Sequence, residues 1–165
     1  MKTTSKISTL IMAIAVTGML AFGAATTSHA QSLRAFEATA HQLTLVSSVV
    51  CNGDVCEFVF EGTGTVNIMG PVTVTIHVVE DYSGYPCDPY TAEYTLVGPT
   101  GSITFSDTAG WVCPSAHFNG PSTIQGVWNV TGGTGAFSGI IGSGSDQGTI
   151  AGNGPNVHWS GIVVN

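Results

Sequence analysis

From residue 36 to the C-terminus, apolar and polar residues alternate in short runs, and no long stretch repeats with the 3.6-residue period of a helix. The clearest run is Val72-Thr73-Val74-Thr75-Ile76-His77-Val78, where every second residue is apolar, as in a strand with one buried face and one wet face. Ile124, Gly126, Trp128 and Val130 repeat that pattern, as do Val157, Trp159, Gly161 and Val163. Strand-like stretches fall at 36–46, 49–51, 56–62, 65–68, 72–79, 90–97, 102–107, 123–130, 139–144, 148–151 and 157–164, separated by Gly, Pro, Asn and Asp. Residues 31–35 read as a short flexible start. Strands this frequent, with no helical crossover between them, predict an all-β chain. The expected architecture is an antiparallel β-barrel of about eight strands, with a β-sandwich as the alternative, because alternation fits both.

Glycine complicates the C-terminal third, where 13 of the 20 glycines beyond residue 30 fall between Gly110 and Gly161. Large apolar residues nevertheless keep returning there, at Trp128, Phe137, Ile140, Ile150 and Trp159. An ordered sheet is therefore expected rather than a low-complexity tail, with the glycines marking bulges and sharp bends of a closing barrel.

The N-terminus reads differently. Lys2 and Lys6 precede an apolar run over residues 10–25, followed by Ser28-His29-Ala30. This is the layout of a secretory signal peptide with cleavage after Ala30, leaving residues 31–165 as one domain. The run is too short to span a bilayer. A secreted or periplasmic location follows. Once the leader is removed, Arg34 is the only Lys or Arg against 10 Asp and Glu, a net charge of 1 − 10 = −9 with histidines neutral. Such a chain cannot neutralise phosphates, so nucleic acid is excluded as a partner. It also has no lysine for a Schiff base or a P-loop. No cofactor is called for.

Cys51, Cys56, Cys87 and Cys113 are an even set in an exported chain, which reads as two disulfides. Cys51 and Cys56 flank an Asn52-Gly53 turn signal between two β-prone arms, so they should face each other across a hairpin. Cys87 then pairs with Cys113. A metal site would more often show two C-x₂₋₄-C pairs.

The stretch Val130-Thr131-Gly132-Gly133-Thr134-Gly135-Ala136-Phe137-Ser138-Gly139, continuing into Ile140-Ile141-Gly142-Ser143-Gly144, resembles the glycine-rich hairpin of allene oxide cyclases and plant dirigent proteins. It is also similar to secreted bacterial proteins of unknown function that carry a segment like Gly62-Thr63-Gly64-Thr65 ahead of such a hairpin. The resemblance spans some fifteen residues and implies an eight-stranded antiparallel barrel with an apolar interior cavity. Cyclase activity in that family depends on acidic and amide groups inside the cavity. Those have no residue-by-residue match here, and the two disulfides depart from the plant pattern.

Chemistry is sparse. There is no Gly-x-Ser-x-Gly elbow and no His-Glu-x-x-His motif. His41, His77, His117 and His158 are scattered, and His77 and His158 fall on the polar faces of their strands. Glu80, Asp81 and Asp88 sit close together around a turn and form a weak calcium candidate, although their spacing matches no EF-hand loop. Ile76, Tyr94, Phe105, Trp128 and Trp159 lie on faces expected to point inward and are the candidate walls of a ligand cavity. With so little positive charge, the expected occupant is a small neutral or weakly polar apolar molecule rather than an anion. Two other functions stay open. A cyclase or isomerase would need a carboxylate or histidine inside the cavity with a perturbed pKa. A non-catalytic surface or structural protein would have a filled interior.

Overall fold

The computed structural model describes residues 32–47, 49–116, 120–152 and 154–165. The candidate leader, its cleavage point after Ala30, and His117 lie outside them. The strands are β1 (Leu33–Leu45), β2 (Val50–Asn52), β3 (Val55–Val66), β4 (Gly70–Asp81), β5 (Asp88–Gly98), β6 (Gly101–Cys113), β7 (Ser122–Gly133), β8 (Ile141–Ala151) and β9 (Gly154–Val164). The sole helical element among the described residues is a 3₁₀ turn over Gly135–Phe137. Every sheet pairing is antiparallel, in the order β1-β9-β8-β7-β6-β5-β4-β3-β2, and β1 also pairs with β3. That last pairing closes eight strands into a barrel and leaves β2 outside as the short arm of a hairpin with β3. A closed barrel, not a sandwich, is the outcome.

Several strands run longer than the sequence pattern suggested. β3 joins two expected stretches, β8 joins two more, and β6 continues to Cys113. The expected flexible start is corrected as well: β1 begins at Leu33, held in register opposite Val164 of β9. Ladder hydrogen bonds to a neighbouring strand fix this segment, although Leu33, Arg34 and Ala35 are exposed.

Both disulfides form as read. Cys51 pairs with Cys56 across the β2–β3 hairpin, whose turn uses Gly53 at φ 65°. Cys87 pairs with Cys113, tying the start of β5 to the end of β6. Loop-closure entropy gives about 2 kcal/mol for the short loop and about 3.5 kcal/mol for the long one. Reduction should therefore lower stability by several kcal/mol in urea titrations, and Cys87→Ser should cost more than Cys51→Ser. Unchanged unfolding midpoints under reductant would contradict this.

The barrel has two unlike ends. The β3–β4, β5–β6 and β7–β8 connections, the start of β1 and the end of β9 gather at one end. There Ala136 N donates to Thr100 O, Thr134 N to Ser102 O, and Asn165 Nδ2 to Ala136 O. Buried Phe137 and Ile140 plug this end. The interior next to it is solid: Phe36, Phe105 and Trp128 pack with ring centroids 5.2–6.0 Å apart. Trp159 and Tyr94 continue the stack, 5.6 and 4.8 Å from Phe105.

Glycines mark the expected bends at Gly135, Gly139 and Gly154, which have positive φ, but the bulges are placed without regard to most of them. Register shifts fall between His41 and Thr44 of β1, between Asp107 and Ala109 of β6, and in β7 opposite Thr104 and Phe105, near Thr131. Two glycine pairs instead make room for rings. A Cβ at Gly110 would lie 2.3 Å from the Tyr90 ring. One at Gly144 would lie 2.4 Å from Trp128, and one at Gly161 2.7 Å from it. Each ring thus lies flat across the neighbouring strands, which a side chain in those positions would forbid.

Candidate functional site

Towards the other end, where the β4–β5, β6–β7 and β8–β9 connections lie, the interior opens into a pocket of about 170 Å³. Its walls are mainly apolar: Phe58 and Phe60 from β3, Ile76 and Val78 from β4, Val112 and Ile124 from β6 and β7, Ile150, Pro155 and Val157 from β8 and β9. Alternation places them there, since Phe58, Phe60, Ile76 and Val78 keep one parity along their strands. Four polar side chains also reach the pocket: Glu80, Tyr82, Tyr90 and Tyr94.

The five expected wall residues divide. Ile76 and Tyr94 line the pocket. Phe105, Trp128 and Trp159 are buried deeper and interlock with Phe36 and Tyr94, so they fill the barrel rather than bound the space. Phe58, Phe60, Tyr90 and Ile124, not singled out from the sequence, take their place in the wall.

Glu80 is only 7% exposed. Burial raises its pKa above the ordinary carboxylate value and the neighbouring Asp88 adds to this, while the Tyr82 hydroxyl, donating to Oε2 at 3.2 Å, pulls the other way. Burial and then the Glu80 charge push the Tyr82 phenol up to about 12. Glu80 and Asp81 do not act together. Consecutive residues of β4 point to opposite faces, and the Asp81 carboxylate turns away to accept from Ser83 N at 2.9 Å. Among the described residues no three His, Cys, Asp or Glu side chains gather to hold a metal ion, so the calcium candidate of Glu80, Asp81 and Asp88 is not assembled.

Behind the pocket floor lies a buried polar cluster that the sequence did not disclose. Asp107 and Asp146 are 2% and 3% exposed. The Tyr94 hydroxyl donates to Asp107 Oδ2 at 2.5 Å, and the Tyr90 hydroxyl lies 3.0 Å from Asp107 Oδ2 and 2.9 Å from Asp146 Oδ2. The second glycine beside the Tyr90 ring permits this approach: a Cβ at Gly126 would lie 2.5 Å from Asp146 Oδ1 and 2.9 Å from the Tyr90 hydroxyl. Gly110, Gly126 and Asp146 are successive cross-strand partners, so Tyr90 spans two strands to reach the third.

The two phenols supply two protons to these three oxygen–oxygen contacts, and a proton kept on one carboxyl group would complete the set. Burial, then the Asp146 charge, raises Asp107 to about 7, and burial raises Asp146 in the same direction. Tyr90 and Tyr94, out of water beside these acids, are held far above the ordinary phenol value. Both remain neutral donors. Among the described residues, Asp107 Oδ1, Asp146 Oδ1 and Trp159 Nε1 are buried without a hydrogen-bond partner.

Two histidines stand apart from this chemistry. His77 and His158 are exposed or half-exposed on the outer face, near Glu57 at 3.7 Å and Glu37 at 2.9 Å. In comparisons with known proteins, the chain matches no family model, no curated protein and no solved structure.

Proposed function

We propose that the barrel binds a small, largely apolar molecule carrying no negative charge, in the pocket at its open end. The observation that carries this reading is the division of the interior. One half is packed solid by aromatic rings, while the other leaves about 170 Å³ behind mainly apolar walls. Apolar cavities of ~150 Å³ accept a benzene-sized guest. An anion would meet Glu80 in the wall and a strongly acidic chain around it.

Export after cleavage at Ala30 belongs to the same proposal. It is supported by the two disulfides, and no helix among the described residues is long and apolar enough to cross a membrane. Kinship with the allene oxide cyclase and dirigent barrels is likewise proposed, on the hairpin over residues 130–144 together with the closed eight-stranded barrel. An isomerase or cyclase reading has one observation in its favour, Glu80 in an apolar wall with a raised pKa. It would require that carboxyl to touch the reacting atoms.

Titration with toluene, cyclohexanol and benzyl alcohol, read by tryptophan fluorescence, tests the binding role. Trp159 packs edge-on to Tyr94 at 5.1 Å, so a guest against Tyr94 should shift its emission. Ile124→Phe, which takes up pocket volume without adding a competing indole, should weaken the response. If no compound produces a saturable change, a purely structural role is the better reading.

A further inference from the structure

Glu80 is a carboxylate placed in an apolar wall without a counter-charge. Among the described residues its hydrogen-bond partner is the Tyr82 hydroxyl, and its charged neighbour is another acid, Asp88. The two ion pairs among the described residues join other groups, His77 with Glu57 and His158 with Glu37. Arg34, the one Lys or Arg beyond residue 30, belongs to the plugged end, where it stands opposite Val163. A carboxylate taken out of water without a cation is destabilised, and a bound cation would offset that.

The surroundings of Glu80 fit an organic cation better than a metal. Hard metal ions require several converging oxygen ligands, and no three candidate ligands meet here among the described residues. Aromatic rings do meet. Phe58 and Tyr82 lie edge-to-face with centroids 6.4 Å apart, and both line the pocket with Glu80 and Tyr90. Ring faces attract ammonium groups, most strongly where water is excluded. The acidic chain adds a long-range field that draws cations towards its surface.

We propose that the pocket selects protonated amines with a compact apolar body, the ammonium lying between Glu80 and the rings of Phe58 and Tyr82, the body against Ile76, Val78 and Val157. This rests on the ligand-binding reading above and narrows it from any guest without negative charge to a cationic one. The ammonium donates a charge-assisted hydrogen bond to the carboxylate, and the alkyl or aryl body takes the remaining volume.

Calorimetric titration with three isosteric probes at pH 7 tests it: benzylamine, benzyl alcohol and benzoate, each on the wild-type protein and on Glu80→Gln. The expected result is benzylamine binding at least about tenfold more tightly than benzyl alcohol, with benzoate weakest. Glu80→Gln should remove the amine preference while leaving benzyl alcohol within about twofold, which also shows that the variant's pocket is intact. Equal affinities for amine and alcohol in the wild type, or an amine preference that survives Glu80→Gln, would overturn the cation proposal and leave the apolar-ligand reading standing. Binding of none of the three would overturn both.

Discussion

Replacing Gly110 by alanine is expected to destabilise the barrel by about 3 kcal/mol or more. The added Cβ would sit 2.3, 2.4 and 2.7 Å from three carbons of the Tyr90 ring. Real carbon–carbon contacts are optimal near ~3.5–4.0 Å, so something must move. The ring has little freedom to do so, because its hydroxyl is held between Asp107 and Asp146 on the far side. Swinging Tyr90 away would leave two buried carboxyl groups with fewer donors, a second cost of about 1–3 kcal/mol. Urea unfolding of Gly110→Ala beside Gly152→Ala separates this from the general effect of losing a glycine. Nothing lies within 4 Å of a Cβ at Gly152, so that change should be nearly neutral. Adding Tyr90→Phe to Gly110→Ala should restore little, since the ring remains, whereas Tyr90→Ala should relieve the clash and reveal strong coupling. A loss below about 1 kcal/mol for Gly110→Ala would mean that the ring is not pinned as described.

The Gly110 contact also shows where sequence reasoning stopped. The parity of β4, β5 and β6 was readable because apolar residues mark every second position. Ile76, Tyr94 and Phe105 could be placed inward from that signal alone. The same parity put Asp107 inward, two residues after Phe105, and that signal was present but unused. Asp146 gave no such cue. Its neighbours of like parity are Gly142, Gly144 and Gly148, which have no side chain to declare a face, so β8 read as two fragments with Asp146 in the gap. Only pairing with Gly126 on one side and Trp159 on the other places its carboxyl in the core, and that is long-range information. Depth along the barrel was hidden for a similar reason. Phe105, Trp128 and Trp159 share the inward face with Ile76 and Tyr94, yet the former pack among themselves because Gly144 and Gly161 let the Trp128 ring lie flat. Alternation tells inside from outside. It does not tell filled from empty.

Stability should be greatest near pH 4 and fall as the pH rises to neutrality, by up to about 4 kcal/mol from Asp107 alone. In the unfolded chain Asp107 titrates at the ordinary carboxylate value of 3.8, whereas in the barrel it holds its proton to about 7. Between those values the folded state binds more protons than the unfolded state, so the free energy of unfolding declines with pH. Above about 7 both states are ionised and the loss is complete. Asp146 and Glu80, also raised by burial, act in the same direction. Asp81 is shifted downward by its bonds to Ser83, but it is fully exposed and contributes little against them. General repulsion in an acidic chain would also favour low pH, so the slope alone does not identify its source. Asp107→Asn does. It keeps nearly all of the surface charge yet removes the Asp107 proton from the balance, so its stability should fall much less than the wild type's between pH 4 and 7, the remaining slope coming from Asp146, Glu80 and general repulsion. At neutral pH the substituted barrel should match or exceed the wild type, because the amide can still accept from Tyr94 without carrying a charge. Urea midpoints at pH 4, 5.5, 7 and 8 decide the matter. A wild-type profile that rises with pH, or an Asp107→Asn profile as steep as the wild type, would show that this carboxyl pair does not hold its proton in the folded barrel.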